Sequence, residues 1–323
     1  MGAGPFLRRL LHSAAVLLLM SAAVFLLIGL MPGDPVDLMV GGNPRITPAD
    51  LERLRHVYGL DRSLPERYLS WLGSAVTGDL GYSRLYARPA LETLLPPLGR
   101  SLALLASSLF LALAVALPLG ILAALKPRSG RDHAINLIAF AGISMPVFWV
   151  GLMLIALFSV ALGWLPASGA VTVARGGEGE GGLADRLRHL ALPVATLAVA
   201  SIGHYSRYMR AAMIEALRQD HIRTAFAKGA GKGRVVFRHA LRHALTPVVT
   251  LLALDLGALF SGALVVETVF AYPGMGKLIY DAVMGNDFNL ALAGLLLATA
   301  ATLAGNALAD LAYPWLDPRL RRR

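Results

Sequence analysis

Two histidines stand at a spacing that metal sites use. His239 and His243 lie four residues apart, so on a helix they would share one face, where paired imidazoles can bind a transition metal. The helix around them contains no H-E-x-x-H motif and no nearby acid. We therefore interpret the pair as histidines at an interface, and the sequence predicts no metal site.

Two glycine-rich segments resemble nucleotide-binding loops. Gly177, Gly179 and Gly182 satisfy the spacing G-x-G-x-x-G, but no convincing strand precedes them, which favours a flexible linker. The second segment, residues 229–233, contains a lysine, yet Phe226 stands where a P-loop needs its first glycine. The sequence therefore predicts no catalytic residue and no cofactor.

Asp255 is the only acid deep within a long apolar segment. Charged side chains inside a membrane face a bundle interior or a water-filled path, so Asp255 is a candidate for lining a translocation route or pairing with a basic group. A structural hydrogen bond at a helix interface would explain it equally well. Both interpretations stay open.

The composition indicates that the elements positioning these residues lie in lipid. Of 323 residues, 56% are hydrophobic and only 15% are charged, whereas soluble domains have roughly 25% charged residues. The net charge of +10 lies between apolar stretches, which argues against a nucleic-acid-binding protein. The absence of cysteine excludes disulfides, thiolate metal sites and a cysteine nucleophile. We expect an all-α, multi-pass membrane protein.

Six apolar segments are long enough to cross a bilayer, whose core of about 30 Å needs roughly 20 helical residues. They are residues 10–33, 101–125, 133–174, 189–206, 244–266 and 288–309. The third should hold one helix that ends near Gly163, with a kink at Pro146. The first follows Arg8 and Arg9 and is longer than the apolar part of a cleaved signal peptide, so we expect an uncleaved helix.

The distribution of Lys and Arg predicts the orientation. With a cytoplasmic N-terminus, that side carries 18 of the 30 basic residues. Eight others fall in the long segment 34–100, which the positive-inside rule discounts, and only four remain in short external loops. Both termini are therefore predicted to be cytoplasmic.

The segment 34–98 is predicted to be an extracytoplasmic subdomain with two short amphipathic helices. Thr47 before Pro48 is typical of an N-cap followed by proline at the first helical position. Ser63 and Glu66 fit a capping box that opens a second helix over residues 67–75.

The longest cytoplasmic connection, residues 207–243, carries nine Lys or Arg against two acids, Glu215 and Asp220. One helix is expected over residues 209–228, where helix formers continue until three glycines at 229, 231 and 233 interrupt them. A second basic helix should run from Arg234 until Pro247 enters the fifth span. The pattern predicts a helical hairpin, although the positive-inside rule alone would also explain its charge.

Two stretches of this connection read IRTAFAKG, at 222–229, and RHALRHALTP, at 238–247. They closely resemble the coupling loop of bacterial ABC importer permeases, in particular the B-type permease subunit of the dipeptide, oligopeptide and nickel importers. The resemblance extends to PGDP at 32–35, YGLD at 58–61, ERY at 66–68, GDLGYS at 78–83, ETVF at 267–270, PGMG at 273–276 and LDPR at 316–319. It therefore covers nearly the whole chain.

The resemblance implies a type I ABC importer permease fold in the bacterial cytoplasmic membrane. An N-terminal transmembrane helix would occupy residues 1–33, a five-helix core with the coupling loop residues 99–313, and a basic cytoplasmic tail residues 314–323. The implied partners, besides membrane lipid, are a second homologous permease subunit, two ATPase subunits and an extracytoplasmic solute-binding protein.

The resemblance also implies a coupling site. In such permeases a short helix of this loop docks into a cleft of the ATPase, a role that falls here to residues 215–229. The implied coupling residues are Glu215, Arg223, Thr224, Ala225, Ala227, Lys228 and Gly229. Arg223 stands where the wider importer motif has a glutamate, so the docking helix is expected to lack that acidic contact. Gly229 should let the chain reverse where a Cβ would obstruct it.

The predicted function is that of a non-enzymatic permease subunit that forms the path for peptides or similar small solutes. The alternative is an ion-coupled secondary transporter with Asp255 as its proton or sodium site, although no inverted repeat of broken helices is found in the six spans. An intramembrane hydrolase would need a metal pair or a nucleophile with its base, and the sequence offers neither. Dipeptides, longer peptides, nickel complexes and other solutes all stay open.

Overall fold

The structure is a computed structural model that describes residues 3–30, 47–57, 61–172 and 181–316. The described residues form an all-helical protein with one short β-hairpin, which confirms the predicted class. The elements are α1 Ala3–Gly29, α2 Pro48–Val57, α3 Leu64–Val76, β1 Tyr82–Ser83, β2 Arg88–Pro89, α4 Ala90–Ala124, α5 Gly130–Ser144, α6 Val147–Leu154, the π-helix π1 Ile155–Ala161, α7 Leu183–Leu217, α8 Asp220–Ala227, α9 Lys232–Arg234, the π-helix π2 Val235–Ala240, α10 Leu241–Val269, α11 Met275–Met284 and α12 Phe288–Leu316.

Three of the described helices are long and apolar enough to cross a membrane. These spans are Leu11–Gly29 of α1, Ala90–Ala124, and Phe288–Ala307 of α12. The helix α5 and the run Val147–Ala161 together make a fourth candidate. The predicted fourth and fifth spans fall within α7 and α10, so the total of six stays a prediction.

The third predicted span is broken at Pro146. The helices on either side of the break are bent by 104°, so the chain bends at Pro146 as expected, but the prediction of a single helix is wrong. Pro146 is the N-cap of α6, and Met145 before it adopts an extended backbone with ψ of 132°. Proline explains both features, because it has no N–H to donate and disfavours the helical conformation of the preceding residue.

Residues Met1–Leu98 and Leu278–Ala301 form one compact unit. The predicted capping box is present in it, since Ser63 N donates to Glu66 Oε2 at 3.0 Å, and the predicted N-cap Thr47 is part of a second box in which Thr47 N donates to Asp50 Oδ2 at 3.0 Å. The second predicted helix is α3, which is longer than expected. Asp50, at the third position of α2, closes the Thr47 box and was not predicted.

The β-hairpin of this unit fastens the start of α12. The buried Ser83 hydroxyl donates to Asp287 Oδ2 at 2.6 Å, and Leu85 N donates to the same oxygen at 3.0 Å. Asp287 Oδ1 in turn accepts Leu290 N at 3.3 Å and so caps the helix. Ser83, the last residue of the GDLGYS motif, therefore positions the start of α12.

Residues Gly99–Lys277 and Thr302–Arg323 form the second unit. In it, α7 packs closely against α4 and α5. A Cβ added at Gly120 of α4 would lie 2.7 Å from Ser206 O, and one at Gly203 of α7 would collide with Ala139 O. Because only glycine allows such close backbone approach, these two positions fix the packing of α7.

Glu267 explains a pair of motifs near the end of α10. Its buried carboxylate accepts Lys277 N at 2.9 Å and the hydroxyl of Ser101. Ser101 Oγ accepts Met275 N at 2.8 Å, and a Cβ at Gly274 would collide with the Glu267 side chain. The ETVF and PGMG motifs are thus one structure, in which a carboxylate caps the start of α11.

Candidate coupling site

The predicted helix over residues 209–228 is two helices, so that prediction is wrong. The helix α7 ends at Leu217 and α8 begins at Asp220. The break occurs because Gln219, the N-cap of α8, has an extended backbone with φ of −68° and ψ of 149°. Glu215 consequently lies in the last turn of α7, outside the short helix to which the sequence assigned it.

One face of α8 is anchored in an apolar core. Ile222 is only 2% exposed and Ala225 is buried beside it. They belong to a cluster formed by α4, α7, α8, π2 and α10, whose other buried members are Ala116, Ile121, Ala124, Tyr205, Met209, Met213, Ala216, Val235, Val236, Ala240, Ala244 and Val248. Full burial of an isoleucine contributes about 1.5–3 kcal/mol, so Ile222 is a principal anchor of the helix.

The opposite face of α8 is exposed. Its exposed residues are Arg223, Thr224, Phe226, Ala227 and, at the C-cap, Lys228. Arg223 pairs with Asp220 at 3.3 Å, but both side chains are exposed, so the pair contributes at most about 1 kcal/mol. Ala225, one of the predicted coupling residues, faces inward and cannot contact a partner on this surface.

Gly229 ends α8 in a Schellman motif. Ala230 N donates to Ala225 O at 3.1 Å, and Gly229 N donates to Phe226 O at 2.9 Å. Gly229 has φ of +80°, a conformation that favours glycine, but a Cβ there would meet nothing within 4 Å. The predicted chain reversal is confirmed, whereas the predicted Cβ obstruction is wrong, because the backbone angle is what selects glycine.

The second arm of the hairpin differs from the predicted helix. It begins with α9, passes through the π-helix π2 and continues without a break into α10, with Pro247 inside that helix. The His243 ring lies 4.4 Å from that of His221 on α8. Among the described residues, no group of three or more His, Cys, Asp or Glu side chains is arranged to hold a metal ion.

An ion pair that the sequence did not reveal fastens α7 to α5. Arg210 Nε donates to Asp132 Oδ1 at 2.6 Å, and its terminal nitrogen donates to Oδ2 at 2.7 Å. Such bidentate pairs fix orientation as well as distance. The Asp132 side chain is 3% exposed and that of Arg210 is 27% exposed, so the contact is largely shielded from water.

Local hydrogen bonds preorganise Asp132 for this pair. Arg128 N donates to Oδ2 at 2.8 Å and Asn136 Nδ2 to Oδ1 at 2.7 Å. Asp132 N donates to Ser129 Oγ at 3.3 Å, which caps α5. The pattern S-x-x-D before an apolar run was the available signal, since it places an acid at the start of a helix.

An open groove lies beside the pair, along the last turns of α7. Its lining residues are Arg210, Ala211, Ile214, Glu215, Arg218, Gln219 and Asp220. Asp255 lies within α10, but its side chain falls outside the part that the structure describes. Gly177 and Gly179 of the predicted linker likewise lie outside the described residues.

Comparison with known proteins identifies the family to which the chain belongs. Residues 116–322 match the family described as binding-protein-dependent transport system inner membrane component, and residues 5–103 match its N-terminal counterpart. The chain belongs to this family. It is an inner membrane permease component of a binding-protein-dependent transport system, and the resemblance inferred from the sequence is confirmed.

Relatives of the permease extend over nearly its whole length. It is 39% identical over 319 residues to the oligopeptide transport system permease protein AppB of Bacillus subtilis (strain 168), covering 98% of this chain and 99% of the relative. It is 36% identical over 317 residues to the dipeptide transport system permease protein DppB of Escherichia coli (strain K12), covering 93% of each.

A solved structure confirms the fold. The inward-facing MetNI methionine ABC transporter aligns with a TM-score of 0.54 at 18% identity, covering 68% of this chain and 93% of that one. The permease therefore has the type I ABC importer permease fold. The ion-coupled transporter that would use Asp255 finds no support in these comparisons.

Proposed function

We propose that this permease forms the membrane path of an ATP-driven importer for peptides or similar small solutes. The relatives named for oligopeptide and dipeptide transport support the solute class. A second homologous permease subunit completes the path, two ATPase subunits drive it, and an extracytoplasmic solute-binding protein delivers the solute. Both termini face the cytoplasm, as the distribution of Lys and Arg predicts.

The single observation that carries the coupling assignment is the two-sided helix α8. Its inner face is locked by Ile222 into the core shared with α7 and α10, and its outer face presents Arg223, Thr224 and Phe226. A helix that is packed on one face and exposed on the other can be displaced by a partner bound to the exposed face while it keeps its contacts with the core. We assign the outer face to the ATPase subunit.

The path of the motion follows from the contacts around α8. The apolar core transfers displacement of α8 to α7 and α10 because packed interiors are dense and deform little. The Asp132–Arg210 pair extends the connection to α5, which the Pro146 break joins to α6. Closure of the ATPase subunits would thus shift several spans together.

The sequence alone supports Asp255 as a candidate residue of the translocation path. Peptides carry a charged amine, and an acid in a membrane-spanning helix offers that group a partner. Loss of import with Asp255→Asn, alongside unchanged assembly, would support this role. Import at the wild-type rate would remove Asp255 from the path.

The decisive experiment is co-purification of the ATPase. The tagged permease is expressed with its genomic neighbours and isolated in mild detergent, as wild type and as Gly229→Glu. We expect the ATPase subunit to be retained by the wild type and reduced in the variant, because the substitution strains the turn that ends α8. The matched control is Gly233→Glu, since Gly233 has open space around it and no positive φ. An ATPase that never co-purifies with wild type would contradict the proposal.

A further inference from the structure

The aromatic face of α3 lies against α1 near the middle of that helix. The Tyr68 hydroxyl is 2.8 Å from Ser21 Oγ and donates to Leu18 O at 3.3 Å. The ring of Phe25 lies 5.5 Å from that of Tyr68 and 6.0 Å from that of Trp71. These contacts place Tyr68 and Trp71 of α3 beside residues 18–25 of α1.

The start of α3 lies level with the end of α1. A Cβ added at Gly29 would lie 2.7 Å from Leu64 Cδ2, so the two residues are in contact. The backbone from Leu64 to Tyr68 rises about 6 Å, and the Tyr68 side chain covers the rest of the roughly 12 Å that separate Gly29 from Ser21 along α1. The helix therefore descends beside α1 from its last turn.

The depth can be read from the apolar span of α1. Leu11–Gly29 contains 19 residues and measures about 28 Å at 1.5 Å per residue, close to the thickness of the hydrocarbon core. Leu18 and Ser21 flank its midpoint, which lies about 15 Å below the edge of that core. A tyrosine side chain is much shorter than this distance, so the backbone at Tyr68 must itself lie within the hydrocarbon.

The composition of α3 agrees with this depth. Residues 68–78 contain no Asp, Glu, Lys or Arg. Tyr68 and Trp71 face α1, while Leu69 is 64% exposed and Val76 is 81% exposed on the face turned away. The exposed face of α3 that carries Leu69 and Val76 is apolar, whereas Ser70 and Ser74 are exposed on an adjacent, polar face, so the helix presents only one apolar face for lipid or protein.

The C-terminus of α3 satisfies part of its backbone hydrogen bonding within the chain. Gly78 N donates to Ala75 O at 3.0 Å and Asp79 N to Ser74 O at 3.0 Å, which is a Schellman motif with Gly78 at φ of +92°. Thr77 Oγ1 donates to Ser74 O at 2.8 Å. Two of the four carbonyls that the end of α3 would otherwise offer to water, Ser74 O and Ala75 O, are thereby satisfied within the chain.

We propose that α3 is a membrane-embedded helix whose Leu69–Val76 face contacts acyl chains of the leaflet at the Gly29 end of α1. The occupant is lipid because α1, against which α3 packs, is itself a candidate span whose Leu19 and Leu27 are 72% and 66% exposed. Part of the segment 34–98 therefore lies in the bilayer, and the aqueous subdomain is smaller than the sequence predicted. The inference is independent of any ATPase contact.

The absence of cysteine from the chain allows a direct test. Single variants Leu69→Cys and Val76→Cys are spin-labelled in the assembled importer in liposomes. Collision rates of each label are measured with oxygen, which concentrates in lipid, and with a water-soluble nickel chelate. The matched controls are Arg62→Cys, just before α3, and Leu85→Cys, an exposed leucine of the segment that joins β1 to β2. All four side chains are exposed, so folding should be retained.

We expect the labels at Leu69 and Val76 to collide with oxygen as a lipid-exposed site does and to meet the nickel chelate several-fold less often than the two controls. Equal nickel accessibility at Leu69 and Arg62 would place α3 in water and overturn the proposal. Protection of both α3 labels from oxygen and nickel alike would mean that a protein covers the face, and would also overturn it. Because the readout needs no transport, its failure is distinct from failure of the coupling assignment.

Discussion

The coupling hairpin and the Asp132–Arg210 pair lie at the same end of α7 but are stabilised by opposite chemistry. The hairpin is held by an apolar core, and the charges on its surface contribute little. The pair is held by a bidentate, shielded contact with fixed geometry. Apolar packing is non-directional, whereas the ion pair allows one orientation only. The hairpin should therefore tolerate changes of shape that the pair cannot.

The largest effect is expected from Asp132→Ala. This change leaves the largely shielded guanidinium of Arg210 without its partner, which we expect to cost about 2–4 kcal/mol of unfolding free energy. Thermal unfolding of the purified permease in detergent measures it. The control is Asp220→Ala, which breaks the exposed pair with Arg223 and should change stability by less than about 1 kcal/mol. Equal effects of the two variants would contradict the distinction between the regions.

A comparable but slightly smaller loss is expected from Ile222→Ala. Truncation of a buried isoleucine leaves a cavity and costs about 2–3 kcal/mol. Ile222→Val should cost only about 1 kcal/mol, because the core keeps most of its volume. The series is followed by thermal unfolding and by retention of the ATPase subunit. A cost for Ile222→Val as large as for Ile222→Ala would show that the core requires specific geometry, as the ion pair does.

A smaller effect is expected at the turn that ends α8. Gly229→Ala should cost about 1 kcal/mol because φ of +80° is strained for alanine, while Gly229→Asn should cost less. Gly233→Ala, at a position in helix α9 with open space, should be neutral or slightly stabilising. Thermal unfolding of the three variants gives the ranking, and an equal cost for alanine and asparagine at 229 would rule out backbone strain.

The smallest effect on stability is expected from Phe226→Ala. The side chain is 49% exposed and makes up part of the outer face of α8, so its removal should change unfolding free energy by less than about 0.5 kcal/mol. Retention of the ATPase should nevertheless fall, since aromatic side chains are enriched at binding hot spots. The control is Phe237→Ala, a 66% exposed phenylalanine on π2. Equal retention by both variants would move the contact away from α8.

Sequence reasoning succeeded where local chemistry decides the structure. Pro146 stands at the break of the third predicted span, Ser63 and Glu66 form a box within one turn, and Gly229 occupies a turn that needs a positive φ. It failed where distant residues decide. The Asp132–Arg210 pair joins residues 78 positions apart, and nothing near Asp132 reveals its partner.

The coupling site shows the same limit. The loop was recognised from its residues, but its division into α7 and α8 depends on the inward turn of Ile222 and Ala225 toward π2 and α10. That packing draws on five separate elements, so no single stretch encodes it. The inward position of Ala225 and the contact of Tyr68 with Leu18 and Ser21 are likewise tertiary facts that periodicity does not contain.

The separation of Asp132 and Arg210 has a consequence for biosynthesis. Ribosomes add about 5–20 residues per second, so the acid emerges roughly 4–16 seconds before the arginine that neutralises it. Of the groups that donate hydrogen bonds to its carboxylate in the folded structure, those already synthesised by then are Arg128 N and Asn136 Nδ2. The nascent chain therefore holds an incompletely paired acid at the start of α5 until α7 has been synthesised, and arrival of Arg210 marks the point at which that helix pair is complete.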